Sequence, residues 1–148
     1  MKTNVQEPWG NQLRGASMSL RSDQSKYALG QPIRLTMHIR NHSRQDIRLL
    51  STDIVTTYRL LAFDTHGHPM EKSDELKRAE ESSEPPGVIS RSLTILKPDE
   101  ETTESFDADR LVKVQQPGVY YMVVIRRLMS WDEGFLVSNA IHVEIVRP

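Results

Sequence analysis

A Pro-Gly turn followed by a long run without a breaker constrains this chain more than any other stretch: Gln116-Pro117-Gly118-Val119-Tyr120-Tyr121-Met122-Val123-Val124-Ile125-Arg126-Arg127. Proline fixes φ and glycine accepts positive φ, so the dipeptide makes a turn. The β-branched and aromatic residues that follow are apolar on both faces, as in a strand at the centre of a sheet. A second segment is equally plain. Ile33, Leu35, Met37 and Ile39 alternate with Arg34, Thr36, His38 and Arg40, a period of two that buries one strand face.

The remaining segments follow the same grammar. Alternation over 12–20 puts Ala16, Met18 and Leu20 on one face, with Ser17 and Ser19 on the other. Further strands are predicted over 47–50, 55–63, 92–96, 102–106 and 136–146, separated by turn clusters such as Asn41-His42-Ser43 and Lys97-Pro98-Asp99. One short helical turn is expected over 107–114, placing Leu111 and Val114 beneath the sheets. No βαβ alternation and no internal repeat occur, so the sequence predicts an all-β antiparallel sandwich of about 7–9 strands.

Residues 1–10 read as a flexible polar arm with Trp9 near its end, and 11–148 as a single domain. Within it, 71–90 changes character: nine of the fourteen residues from Glu71 to Glu84 are charged, and Pro85-Pro86-Gly87 follows. The segment is expected to be a mobile, solvated insertion. The alternative is a helical turn over 73–81 with Ser73 as its N-cap.

The net charge of −1 argues against a general nucleic-acid binder, which carries a basic excess. The absence of cysteine rules out disulfides, thiol nucleophiles and thiolate metal ligands. The opening residues contain no apolar leader core, and no run approaches ~18 apolar residues. No membrane span is expected in the sequence as given. A leader removed upstream would leave the same residues, so the compartment stays open between cytoplasmic and exported.

The segment Tyr27-Ala28-Leu29-Gly30-Gln31-Pro32-Ile33-Arg34-Leu35-Thr36 resembles the Y-x-x-G-E-x-I-x-L opening of many bacterial immunoglobulin-like domains. Asn41-His42-Ser43 stands at their N-x-S strand end. Leu96-Lys97-Pro98-Asp99-Glu100 is similar to their L-x-P-G-E turn, with Asp99 in place of glycine. Phe106-Asp107, Pro117-Gly118-Val119-Tyr120 and Ser138-Asn139-Ala140-Ile141 match later blocks in order, so the resemblance spans roughly residues 9 to 146. It takes in the bacterial intracellular proteinase inhibitor family and uncharacterised domains of surface or secreted proteins, and it implies an immunoglobulin-like sandwich. No inhibitory loop matches residue by residue. Tyr120, two residues after a turn glycine, fits the tyrosine corner of such sandwiches, and its hydroxyl is expected to bond nearby backbone.

Candidate chemistry is sparse. Asp64, His66 and His68 alternate and are zinc-ligand types, but Gly67 and Pro69 imply a turn that scatters them, and no fourth ligand presents itself. His38 and His142 approach each other only if their strands are neighbours. No Gly-x-Ser-x-Gly elbow is present. Asn41-His42-Ser43 is formally a glycosylation acceptor but reads as a strand-end turn. Trp131, with Asp132 and Glu133, marks the tip of a hairpin before the last strand. An exposed aromatic there is a partner-binding anchor. The alternative is a cap over the open end of the sandwich. No catalytic residue, cofactor or metal is expected. The sequence predicts a non-enzymatic module that contacts a protein partner. The alternative, from the resemblance, is a proteinase inhibitor working through an inter-strand loop.

Overall fold

A computed structural model describes residues 10, 15–81, 91–129 and 134–148. Among them the chain forms ten strands: β1 (Ala16–Ser22), β2 (Lys26–Ala28), β3 (Arg34–Asn41), β4 (Ile47–Ser51), β5 (Tyr58–Asp64), β6 (Ser92–Leu96), β7 (Glu101–Asp107), β8 (Gly118–Arg127), β9 (Phe135–Val137) and β10 (Ile141–Val146). Two helices, α1 (Ile54–Thr57) and α2 (Asp74–Glu81), and a 3-10 turn at Ala108–Arg110 complete it.

One sheet has the order β1-β3-β7. The other runs β2-β10-β8-β5, with β9 also paired to β8. β4 and β6 form a two-stranded ribbon, tied to the larger sheet by the bond from Leu50 N–H to Leu128 O. All strand pairs are antiparallel except β2 with β10. Having left β1, the chain crosses at Lys26–Ala28 to line the other sheet's edge. This is an immunoglobulin-like sandwich.

The core is the inward phase of both sheets. Leu35, Met37 and Ile39 of β3 and Met122 and Val124 of β8 are fully buried, with Val143 of β10 beside them. Met122 holds the position two residues after Tyr120 where antibody domains have a cysteine, so no disulfide joins the sheets there. The expected turn over 107–114 is present, and Leu111 is buried beneath it.

Two strands are shorter than expected, for local reasons. Residues 54–57 form α1 rather than the start of β5, because the Asp53 carboxylate caps Thr56 N–H at 3.1 Å. The predicted strand over 136–146 breaks at residues 138–140, where side chains do the pairing. Ser138 Oγ accepts from Val124 N–H at 2.9 Å. The Asn139 amide bonds both Leu20 N–H (2.8 Å) and Leu20 O (3.1 Å), joining the break to β1.

The charged insertion contains α2. Ser73 Oγ accepts from Leu76 N–H at 3.0 Å and donates to Arg110 O at 2.6 Å, so the helix alternative holds for 74–81. Ion pairs Asp74–Lys113 and Glu75–Arg110, at 2.7 and 2.6 Å, tie the helix to the segment after β7. Residues 82–90 of the expected insertion lie outside the described residues. So does the expected N-terminal arm apart from Gly10, whose N–H bonds Met18 O.

Candidate functional site

The largest departure from the sequence reading lies between the sheets. Arg126 shares the inward phase of Met122 and Val124 and is completely buried. Its Nε donates to Glu104 Oε1 at 2.6 Å and its Nη2 to Glu104 Oε2 at 3.1 Å, bridging β8 to β7 across the sandwich. The remaining guanidinium hydrogens go to Ser51 Oγ (2.8 Å), Arg127 O (2.6 Å) and Leu50 O (3.3 Å). Tyr58 donates its hydroxyl to Glu104, and its ring lies 5.5 Å from the Arg126 guanidinium carbon.

Burial alone would raise the Glu104 carboxyl. The Arg126 guanidinium, assisted by the Tyr58 and Ser51 hydroxyls, instead holds it below the ordinary carboxylate range. Burial and the Glu104 charge push the Tyr58 phenol far upward, so it stays protonated as a donor. Each group's charge state is thus fixed by the others. The arrangement fastens ribbon, small sheet and large sheet at one point. The signal was in the sequence, since Arg126 is in phase with Met122 and Val124.

The outward face of the larger sheet is the opposite case. Residues directly opposite in register share a face. The pairs Phe63↔Tyr121, Leu61↔Val123 and Val137↔Ile125 therefore line up across β5, β8 and β9 on the outside. Leu61 is 43%, Tyr121 47% and Phe135 44% exposed, with the other four half-buried between them. Isolated exposed apolar residues are ordinary, but a run across three adjacent strands forms a patch. His142, paired with Tyr121, closes the β10 side, with ring centroids 6.1 Å apart.

The residues singled out from the sequence fare differently. β8 and β9 form the expected hairpin, but Trp131, Asp132 and Glu133 at its tip lie outside the described residues. Asp64 uses its Oδ1 to cap the N–H groups of His66 and His68, each at 2.9 Å, and those two bonds lead the causes that hold its carboxyl low. The turn is self-contained. Among the described residues no group of three His, Asp, Glu or Cys side chains is arranged to hold a metal. His38 and His142 sit in different sheets. Asn41 is fully buried and donates to Gln45 O (2.7 Å) and Leu96 O (2.9 Å), so its amide is built into the strand end as expected. Tyr120 donates to Gln116 O at 2.6 Å, forming the expected corner.

No protein-family model matches the chain, and no curated protein matches it. Among solved structures it is similar to a β-glucosidase from Listeria innocua in complex with isofagomine, at 16% identity and a TM-score of 0.46, over 88% of this chain and 16% of that one. The chain thus spans about one sixth of the β-glucosidase's length. It is also similar to the CARDB domain of a Pyrococcus furiosus protein. Its crystal structure in complex with di-metal ions matches at 10% identity and a TM-score of 0.44, over 97% of this chain and 95% of that one. Its solution structure matches at 11% identity and a TM-score of 0.45, over 89% and 94%. The class of this protein, an immunoglobulin-like β-sandwich module, rests on its own strand order, its corner tyrosine and its core. No described helix is long and apolar enough to cross a membrane.

Proposed function

We propose that this module is non-catalytic and works by protein–protein contact through the outer face of β5, β8 and β9. The exposed Leu61, Tyr121 and Phe135, on three adjacent strands of one face, carry the reading. Water-facing sheet sides are ordinarily polar, and an apolar one costs solubility unless a partner covers it. The partner is one that offers a mainly apolar surface with acceptors at one end, where Arg59 is opposite Ile125 and Arg127 opposite Phe135. The tip residues Trp131, Asp132 and Glu133 connect β8 to β9 along the chain. They extend the same contact in this reading, with Trp131 as anchor.

The test begins with a photo-crosslinking residue at Tyr121, which identifies the partner in the native host. Binding is then measured with the purified partner. Leu61→Ser with Tyr121→Ser, and separately Trp131→Ala, should each weaken it by about tenfold or more, the scale of an interface anchor, with an unchanged melting temperature. Unaltered affinity in the double variant overturns the reading. A purified proteinase inhibited equally by wild type and double variant would instead support the inhibitor function that the sequence resemblance implies.

A further inference from the structure

A cleft of about 700 Å³ opens where the edge of β5 meets α1 and α2, on the size scale of small-molecule sites. Its walls are apolar: Val55 from α1, Leu60 and Leu61 from β5, Leu76 and Ala79 from α2, and Leu111.

Its charges are unevenly matched. Lys72 is satisfied by Glu80 at 2.8 Å. Arg127 is not matched in this way. Its Nη1 and Nη2 donate to neutral acceptors, Met129 O at 2.9 Å and Thr52 Oγ1 at 2.8 Å. Its buried Nε has no hydrogen-bond partner, and among the described residues no carboxylate forms an ion pair with it. Burial, then the neighbouring Arg126 and Arg91 charges, lower the affinity of this guanidinium for its own proton, and the Asp53 charge only partly opposes them. An anion beside the guanidinium would offset its burial and the repulsion of the neighbouring cations.

The edge itself excludes an added peptide strand, which needs several consecutive rungs. Tyr58 N–H is taken by Ile54 O. Ala62 O and Asp64 N–H are taken by the returning segment at Met70 and His68. By alternation only the Leu60 rung remains on that side. The space suits a slim apolar chain instead.

We propose that the cleft binds a carboxylate-headed acyl chain, its head on Arg127 and its tail along Leu60, Leu76 and Leu111. Leu61 lines both the cleft and the outer face, and Arg127 is opposite Phe135 in register, but binding is read on the isolated protein and does not depend on the partner contact. Calorimetry with laurate below its micellar concentration should show saturable one-to-one binding, about tenfold or more tighter than dodecanol, the fold-change of one charge-assisted hydrogen bond. Arg127→Gln should erase that preference while leaving dodecanol binding in place. Ala79→Trp, at an exposed helix position that cannot disturb the core, should abolish both by filling the cleft. Equal affinity for laurate and dodecanol, wild-type laurate binding by Ala79→Trp, or no saturation by about 1 mM overturns the proposal. So does co-sedimentation with phosphatidylglycerol vesicles in the absence of laurate binding, which would assign a membrane surface.

Discussion

Removing the Glu104 carboxylate tests how the two sheets are joined. In Glu104→Ala, Arg126 loses both bonds to the carboxylate, at 2.6 and 3.1 Å, while its guanidinium stays completely buried. Tyr58 loses the acceptor for its hydroxyl. Three neutral acceptors and the Tyr58 ring remain, so the cation is solvated but not neutralised. Breaking a buried pair from one side costs about 3–5 kcal/mol, a fifth or more of a typical domain's ~5–15 kcal/mol. Replacing both partners by apolar residues of similar length removes the orphaned charge along with the pair. Glu104→Met with Arg126→Met should therefore recover most of the loss, to within ~1–2 kcal/mol of wild type. Urea denaturation at pH 7 of wild type, Glu104→Met, Arg126→Met and the double variant gives the cycle, with Glu104→Ala measured beside it. A cost below about 1 kcal/mol for Glu104→Ala would refute the reasoning, as would a double variant no better than the worse single.

Acid should act on the same pair. The Glu104 carboxyl is depressed in the folded state, so its stabilisation is complete above the unfolded value of about 4.3 and is lost as pH falls through the lower folded value. Urea midpoints of wild type should drop below about pH 4.5, and Glu104→Gln should remove that part of the slope. Asp99 adopts φ of 64°, where the matched bacterial pattern has glycine. Asp99→Gly should raise stability by up to ~1 kcal/mol and Asp99→Val lower it by about 1–2 kcal/mol in thermal melts. Tyr120→Phe should cost less than about 1 kcal/mol, because the Tyr120 ring is only half-buried and Gln116 is exposed, so water replaces the lost bond.

What was legible in the sequence was periodic or local. Alternation in 33–40 gave β3 its phase, and the turn blocks separated most of the strands. The Asn41 strand end and the Tyr120 corner were readable because each bonds backbone within five residues. The Ser73 cap was readable for the same reason, but the surrounding charge obscured it. Glu104–Arg126 was not legible, because its partners lie 22 residues apart on different sheets. Only the burial of Arg126 was readable, from its phase with Met122 and Val124. The outer patch and the cleft depend on which strands become neighbours, and Leu61, Val55 and Leu76 acquire meaning only once β5 is an edge. The sequence pointed to Trp131 for contact. The described surface draws attention to the face that the same hairpin completes.

The run that orders the chain carries an ambiguity it cannot resolve by itself. Tyr120, Met122, Val124 and Arg126 form one face of β8, while Tyr121, Val123, Ile125 and Arg127 form the other. Position by position the two are near copies: an aromatic, two apolar residues and an arginine. Hydrophobic patterning sets strand register only when the faces differ, and a slip of one residue exchanges them. The choice must come from groups outside the run. Glu104 receives Arg126, Gln116 O receives the Tyr120 hydroxyl, and Ser138 takes Val124 N–H. Removing two of these three, with Arg126→Met and Ser138→Ala, should make the faces nearly equivalent. Arg127 could then approach Glu104 in the slipped register. Amide spectra of that variant should show two sets of β8 resonances in slow exchange, beside one set for wild type. A single set retaining the Leu61–Val123 and Tyr120–Val143 contacts would mean that packing on β5 and β10 selects the inward face unaided.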